Sequence, residues 1–223
     1  LEKLKEFLKS KGLRKGMTES NPRKKLIDWL KEINQKEKSF SLIYQILRSM
    51  KLAVYSGKDS NHFALGLDEY CHFTSPIRRY SDLITHRVIK SIIEKKGSSY
   101  SQNEIDEIAI VCSEKDREAE KIVRESSKYL RCKCAEQHIG KEFFAEVVSV
   151  LEFGVFMHID GLNIEGFCHI KNLKRSPYYV HDALTHSLTS ANKNNIYALG
   201  DKFKIKIKSV ETSRKRIDLK VIN

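Results

Sequence analysis

No stretch of the 223-residue chain approaches the ~18 consecutive apolar residues that a membrane-spanning helix needs, so an integral membrane protein is not expected. The opening residues, Leu1-Glu-Lys-Leu-Lys, carry neither an initiator Met nor the pattern of a signal peptide, and the chain reads as a piece of something longer. Cysteine is sparse and unpaired in pattern. Five residues (Cys71, Cys112, Cys132, Cys134 and Cys168) at irregular spacing, without an export signal, predict reduced thiols and a cytoplasmic protein. Cys132-x-Cys134 with His138 suggests zinc at first sight, but positions i and i+2 of a helix point to different sides and no second half-site completes a tetrahedron. No two aspartates are adjacent or one residue apart, so the chain offers no evident carboxylate cluster for Mg²⁺. A G-x-S-x-G nucleophile elbow is absent too, which removes one common route to a Ser-His-Asp hydrolase.

What the chain has in excess is positive charge. It carries 41 Lys and Arg against 29 Asp and Glu, for a formal net charge of +12. That balance favours a polyanion, either nucleic acid or an anionic membrane surface. With 40% hydrophobic and 31% charged residues the composition is that of a globular protein rather than a disordered one. The charge is unevenly spread. Residues 1–40 hold 12 basic and 6 acidic side chains, residues 41–139 hold 16 and 14, and residues 140–223 hold 13 and 9. A basic helical protein lying on a membrane would suit the first segment, but no helix shows a strong basic amphipathic pattern.

The hydrophobic period changes near Gly140. Before it the pattern is helical: Leu26, Ile27, Leu30 and Ile33 form one stripe with Trp29 beside it, residues 40–53 read as a second helix, 77–95 as a third, and 101–138 as a long charged helix with Ile105, Ile108, Cys112, Ala119 and Ile122 along one side. After it the period is 2. Residues 202–208 alternate strictly between lysines and Phe203, Ile205 and Ile207, and residues 142–150, 153–159, 165–170 and 216–221 complete a set of five predicted strands. Five short strands in so few residues fit a small closed barrel better than a sandwich. The stretch between 171 and 199 is expected to hold a helix or a large loop. The fold class is therefore α+β, with a boundary dividing residues 1–139 from 140–223.

Two motifs carry chemistry. Phe153-Gly-Val-Phe156 spaces two aromatics around a glycine, Phe167-Cys-His169 follows, and Arg214-Lys215-Arg216 lies on the last hairpin. Aromatic platforms bordered by cations are what single-stranded nucleic acid requires, although a strand Phe is also an ordinary core residue. In the second motif, Tyr70 to Leu83, Ser75 and Pro76 predict a helix start that places Arg78 and Arg79 in the first turn. Positive charge there opposes the helix dipole unless an anion occupies that end. Asp82 offers the competing explanation, a simple ion pair three or four residues on. Spacing leaves both open.

Residues 140–223 resemble the S1 RNA-binding domain, an OB-fold family, through Gly140-Lys-Glu-Phe, Val148-Ser-Val-Leu-Glu-Phe-Gly-Val-Phe156, Ile164-Glu-Gly-Phe-Cys-His-Ile170, Tyr197-Ala-Leu-Gly-Asp-Lys202 and Arg216-Ile-Asp-Leu219. The resemblance implies Phe153, Phe156 and His169 as an RNA-facing trio, with Lys215 and Arg216 near phosphates. His72-Phe-Thr-Ser-Pro-Ile-Arg-Arg-Tyr80, followed by Asp82 and His86-Arg87, resembles the signature of the ribonuclease II/ribonuclease R (RNB) family. Residues 1–139 would then be the C-terminal part of an RNB catalytic domain. A signature, a long helix and an S1 domain also follow one another in the order of that family.

The family resemblance implies a processive 3′→5′ hydrolytic exoribonuclease that releases nucleoside 5′-monophosphates. Arg78 would contact the scissile phosphate, and His72, Ser75, Arg79 and Tyr80 would shape the site. Mg²⁺ would be held by aspartates upstream of this chain, so the piece alone is expected to bind RNA without cleaving it. Single-stranded RNA is the implied partner, with no membrane and a monomeric state; a protein partner such as an RNA helicase is not legible. The competing reading is a non-catalytic RNA-binding adaptor that retains a nuclease-like helical half.

Overall fold

The computed structural model describes residues 22–34, 39–58, 61–174, 176–183 and 185–222. Much of the basic segment 1–40 therefore lies outside the described residues. Among the described residues four helices precede the strands: α1 (Pro22–Asn34), α2 (Ser39–Ser49), α3 (Tyr80–Ile93) and α4 (Gln102–Glu136). The described residues fall into two compact units, one formed by those up to residue 50 with those from 125 onward and the other by those between 51 and 124.

In the first unit α1 and α2 pair through Trp29, Ile33, Leu42 and Ile46, all buried, with Leu199 closing the cluster. The predicted stripe is thus shifted by one position. Ile27 is 36% exposed, and Trp29 takes the inward place because it lies four residues before Ile33. Helix α2 ends at Ser49, short of the expected residue 53. It is tied to a neighbouring strand by two hydrogen bonds: the Ser41 N–H donates to Glu146 Oε1 (3.1 Å), and Gln45 Nε2 donates to the Val148 carbonyl (3.0 Å).

Those acceptors belong to β1 (Glu142–Leu151) of a closed barrel, which is completed by β2 (Gly154–Ile159), β3 (Ile164–His169), β7 (Lys202–Glu211) and β8 (Arg216–Val221). The order is β1-β2-β3-β8-β7, with β3 and β8 parallel and every other pair antiparallel. Alternation places Val147, Val155, Met157, Ile159, Ile205, Ile207 and Leu219 inside, all fully buried. A bulge between Val147 and Ser149 breaks the alternation of β1, so that Val147 and Val148 are both buried. The fold is the expected α+β arrangement of a helical part followed by a five-stranded, OB-like barrel.

The span from 171 to 199 departs from expectation. Its described residues form neither a long helix nor a bare loop but a three-stranded antiparallel sheet, β4 (Tyr179–Asp182), β5 (Ser187–Ser190) and β6 (Ile196–Ala198). Strands of four, four and three residues are too short to show a period. They are secured by buried Leu188 and Tyr197 and by the Tyr197 hydroxyl, which accepts from the Lys174 N–H (3.1 Å).

Gly154 is fixed by close approach of backbone. A Cβ added there would lie 2.4 Å from the Cys168 carbonyl oxygen and 2.6 Å from the Phe167 ring. Gly154→Ala is expected to destabilise the barrel by about 1–3 kcal/mol, as overpacking commonly does, read as a fall in the urea unfolding midpoint.

Candidate nucleic-acid interface

In the second unit one carboxylate organises the arginine motif. Asp82 is fully buried in the first turn of α3 and accepts from the Ser75 N–H (2.7 Å), Arg79 Nη2 (2.9 Å) and Ser81 Oγ (3.3 Å). Burial alone would raise its pKa, but the Ser75 N–H and the Arg79 guanidinium outweigh that and hold it below the usual carboxylate value. These contacts also correct the predicted helix start. Ser75 and Pro76 do not begin the helix; residues 76–78 form a turn in which the Ser75 carbonyl accepts from the Arg78 and Arg79 N–H groups, and α3 starts at Tyr80. Asp82 draws the Ser75 N–H onto its own carboxylate, so the backbone at Arg79 remains extended (φ −116°, ψ 114°).

The two arginines are thereby separated. Arg79 takes the ion-pair role that spacing allowed for either. Arg78 is exposed, and among the described residues its guanidinium has no carboxylate within ion-pair distance. His72 is half-buried, with Nδ1 3.1 Å from the Tyr55 hydroxyl and the Tyr55 and Tyr70 rings edge-on at 5.4 and 5.7 Å. Burial pushes its pKa down, and the Arg79 charge adds to this, so the ring is neutral near pH 7. His72, Tyr55, Tyr70 and His62 line a cavity of about 390 Å³ that neither arginine reaches. Tyr80 is half-exposed and lies beside Arg87. The structure therefore joins Ser75 and Arg79 through Asp82, with His72 close enough to feel the charge, and leaves Arg78 and Tyr80 toward solvent.

In the first unit a groove of about 540 Å³ runs over β2 and β3. Phe153 is 54% exposed and Phe156 36%, so neither is a core residue. Phe167, opposite Phe156 in the β2–β3 register, lies between them with ring centroids 5.6 and 5.0 Å away. His169 is edge-on to Phe167 at 6.3 Å, and its Nδ1 accepts from the Lys171 N–H (3.1 Å), which leaves Nε2 as the donor. The sequence motif contains Phe167 without singling it out; the cross-strand position opposite Phe156 is the signal that finds it.

The hairpin cations are less available than their sequence suggests. Arg214 pairs with Glu211 (3.2 Å), Lys215 with Glu125 of α4 (2.6 Å) and Arg216 with Asp218 (2.8 Å). Lys215, with Lys128 behind it, lowers the Glu125 pKa to about 2, so this carboxylate is charged throughout the physiological range. Three of the four lysines of β7 are likewise engaged: Lys202 with Asp160, Lys204 with Glu142 and Lys208 with Asn172.

Among the described residues no group of three or more His, Cys, Asp or Glu could hold a metal ion. Cys132 is buried while Cys134 is exposed, and Asp82 is spent on Ser75 and Arg79. The described residues thus do not fit a magnesium site.

Two family models match the chain: the RNB domain over residues 1–95 and the S1 RNA binding domain over residues 136–222. Ribonuclease R of Vibrio parahaemolyticus is 35% identical over 235 residues, covering 100% of this chain and 28% of its own length. Ribonuclease R of Escherichia coli is 34% identical over 189 residues, covering 80% of this chain and 23% of its own length.

The chain belongs to the ribonuclease R family.

Mycoplasma genitalium RNase R in complex with ribose methylated single-stranded RNA matches 99% of this chain and 35% of that one at a TM-score of 0.86 and 25% identity. The chain spans about a quarter of the length of the ribonuclease R relatives it matches. The RNB match carries the Arg78–Asp82 segment and the S1 match carries the aromatic residues of the groove.

Asp82→Asn removes the charge that Arg79 and Ser75 share. A folded-state pKa held below the unfolded value near 3.9 contributes stability above that value and loses it as pH falls through the folded pKa. The variant is therefore expected to lose about 1–3 kcal/mol at pH 7 and to flatten the acid limb of stability against pH, measured by urea unfolding from pH 7 to 2.5.

Proposed function

We propose that the complete protein is a processive exoribonuclease that hydrolyses RNA from the 3′ end to nucleoside 5′-monophosphates, and that this chain supplies its phosphate-contacting arginine and an RNA-binding barrel. Residues 1–139 act as the C-terminal part of the catalytic domain and residues 140–223 as the S1 domain. The observation that supports this best is the division of labour in the Arg-Arg pair. Asp82 immobilises Arg79 and the Ser75 turn, which holds the neighbouring Arg78 on a rigid backbone with its charge uncommitted. A fixed guanidinium stabilises charge that develops on a phosphoryl oxygen without reorganising during the reaction. Arg79, Ser75, His72 and Tyr80 are positioning groups around it.

The metal would be Mg²⁺, held by carboxylates upstream of this chain, and it would supply the charge that polarises the phosphate and activates water. The substrate is single-stranded RNA, in keeping with the exposed aromatics of the groove and with the RNA present in the Mycoplasma relative's structure. The protein is a cytoplasmic monomer, and its five free thiols suit a reducing compartment.

This chain, incubated with end-labelled single-stranded RNA and Mg²⁺, is expected to retard the RNA without shortening it; shortened products would refute the assignment of the metal site to upstream residues. In the complete protein, Arg78→Ala should lower kcat roughly 10²–10³-fold with little change in RNA affinity. Unchanged turnover would remove Arg78 from the catalytic role, and a complete protein unable to shorten RNA would favour the non-catalytic adaptor.

A further inference from the structure

The groove over the barrel has a second wall that the barrel does not provide. Residues 125–136 of α4 lie in the same compact unit as the barrel, and Cys132 (2% exposed) and Ala135 (0%) enter the barrel's own hydrophobic core. The helix segment is fastened at both ends to the last hairpin, by Glu125 to Lys215 (2.6 Å) and by Glu136 to Thr212. Lys128 and Arg131 stand one turn apart along the edge of that buried stripe, and both line the groove opposite Phe153, Phe156 and Phe167.

The charge balance of the groove identifies a ligand. Its lining holds four cations, Lys128, Arg131, Lys215 and Arg216, and one carboxylate, Glu165, whose charge lies near the Tyr44 hydroxyl. Lys128, Lys215 and Arg216 are already engaged with Glu125 or Asp218. Arg131 is exposed, and among the described residues it has no carboxylate at ion-pair distance. Aromatic faces on one side and an uncommitted guanidinium on the other match the alternating bases and phosphates of a single strand.

We propose that the C-terminal part of α4 is the phosphate wall of the RNA groove, with Arg131 as its principal phosphate contact and Lys128 beside it, and that a strand runs between this helix and the three phenylalanines. The inference rests on the RNA-binding reading of the barrel and adds to it residues outside the barrel. It also assigns the hairpin cations a different main duty: Lys215 holds the helix in place through Glu125, so the spacing of the groove is set before RNA arrives.

The test measures binding of a fluorescein-labelled oligouridylate to the complete 223-residue chain as a function of salt. Lys128→Ala with Arg131→Ala should weaken binding roughly 10- to 30-fold at 0.1 M salt and lower the slope of log K against log[salt] by about 1.4, the figure for two phosphate contacts on a single strand. Phe153→Ala with Phe156→Ala should weaken binding and leave the slope unchanged. Arg117→Ala, an exposed cation on the same helix outside the groove, should do neither. If the phenylalanine variant loses affinity while the Lys128/Arg131 variant keeps both affinity and slope, the helix wall is refuted and the RNA reading of the barrel stands. If neither variant changes binding, both fall. Alanine suits an exposed helix position, and a thermal unfolding curve matching the unaltered chain separates a lost contact from a lost fold; should the curve shift, Lys128→Gln with Arg131→Gln replaces it.

Discussion

The burial of one helix edge in the barrel core is the constraint from which the groove over β2 and β3 follows. The side chains of Cys132 and Ala135 on α4 are buried continuously with the barrel core. A larger residue at either position would lift the helix and widen the groove between Lys128 or Arg131 and the phenylalanines. The polar fastenings at Glu125 and Glu136 are only partly buried and contribute modestly to stability. Their role is register. They hold one particular helical face over β2 and β3, in the way that Ser41 and Gln45 hold α2 over β1.

The second unit is ordered by one buried charge. Asp82 binds a backbone N–H from the preceding loop and the guanidinium of Arg79, so a single carboxylate ends the loop, starts the helix and commits one of two adjacent arginines. An anion at a helix N-terminus is favourable on dipole grounds, and here the anion is the protein's own. The positive charge left over, on Arg78, is carried by a turn whose backbone is pinned at Ser75. A site for a phosphate requires that combination of a free cation and a fixed backbone.

Much of this fold is legible in local pattern. The change of period at Gly140, the five barrel strands and the aromatic pair of residues 153 and 156 all follow from it, because a strand exposes alternate side chains and a helix exposes a stripe. The three short strands between 179 and 198 are not legible, since a strand of three or four residues shows too few alternations to be distinguished from a loop. The start of α3 is displaced from its predicted place because Ser75 and Pro76 form a proper capping pair locally, and a carboxylate seven residues later outcompetes it. Lys128 and Arg131 give no signal at all: on a charged helix they look like every other solvated cation.

The string of residues settles the identities of the interacting groups, the two families of motif and the positive sum. It could not determine which charges remain available. Lys215 meets its partner 90 residues away, while Arg216 and Arg214 meet theirs within a few, and the three look alike in a string of letters. Availability is a property of pairs, and pairs are made by packing. Packing alone leaves Arg78 and Arg131 without a carboxylate partner among the described residues, commits Arg79 and Lys215, and turns a helix belonging to neither motif toward the aromatic groove.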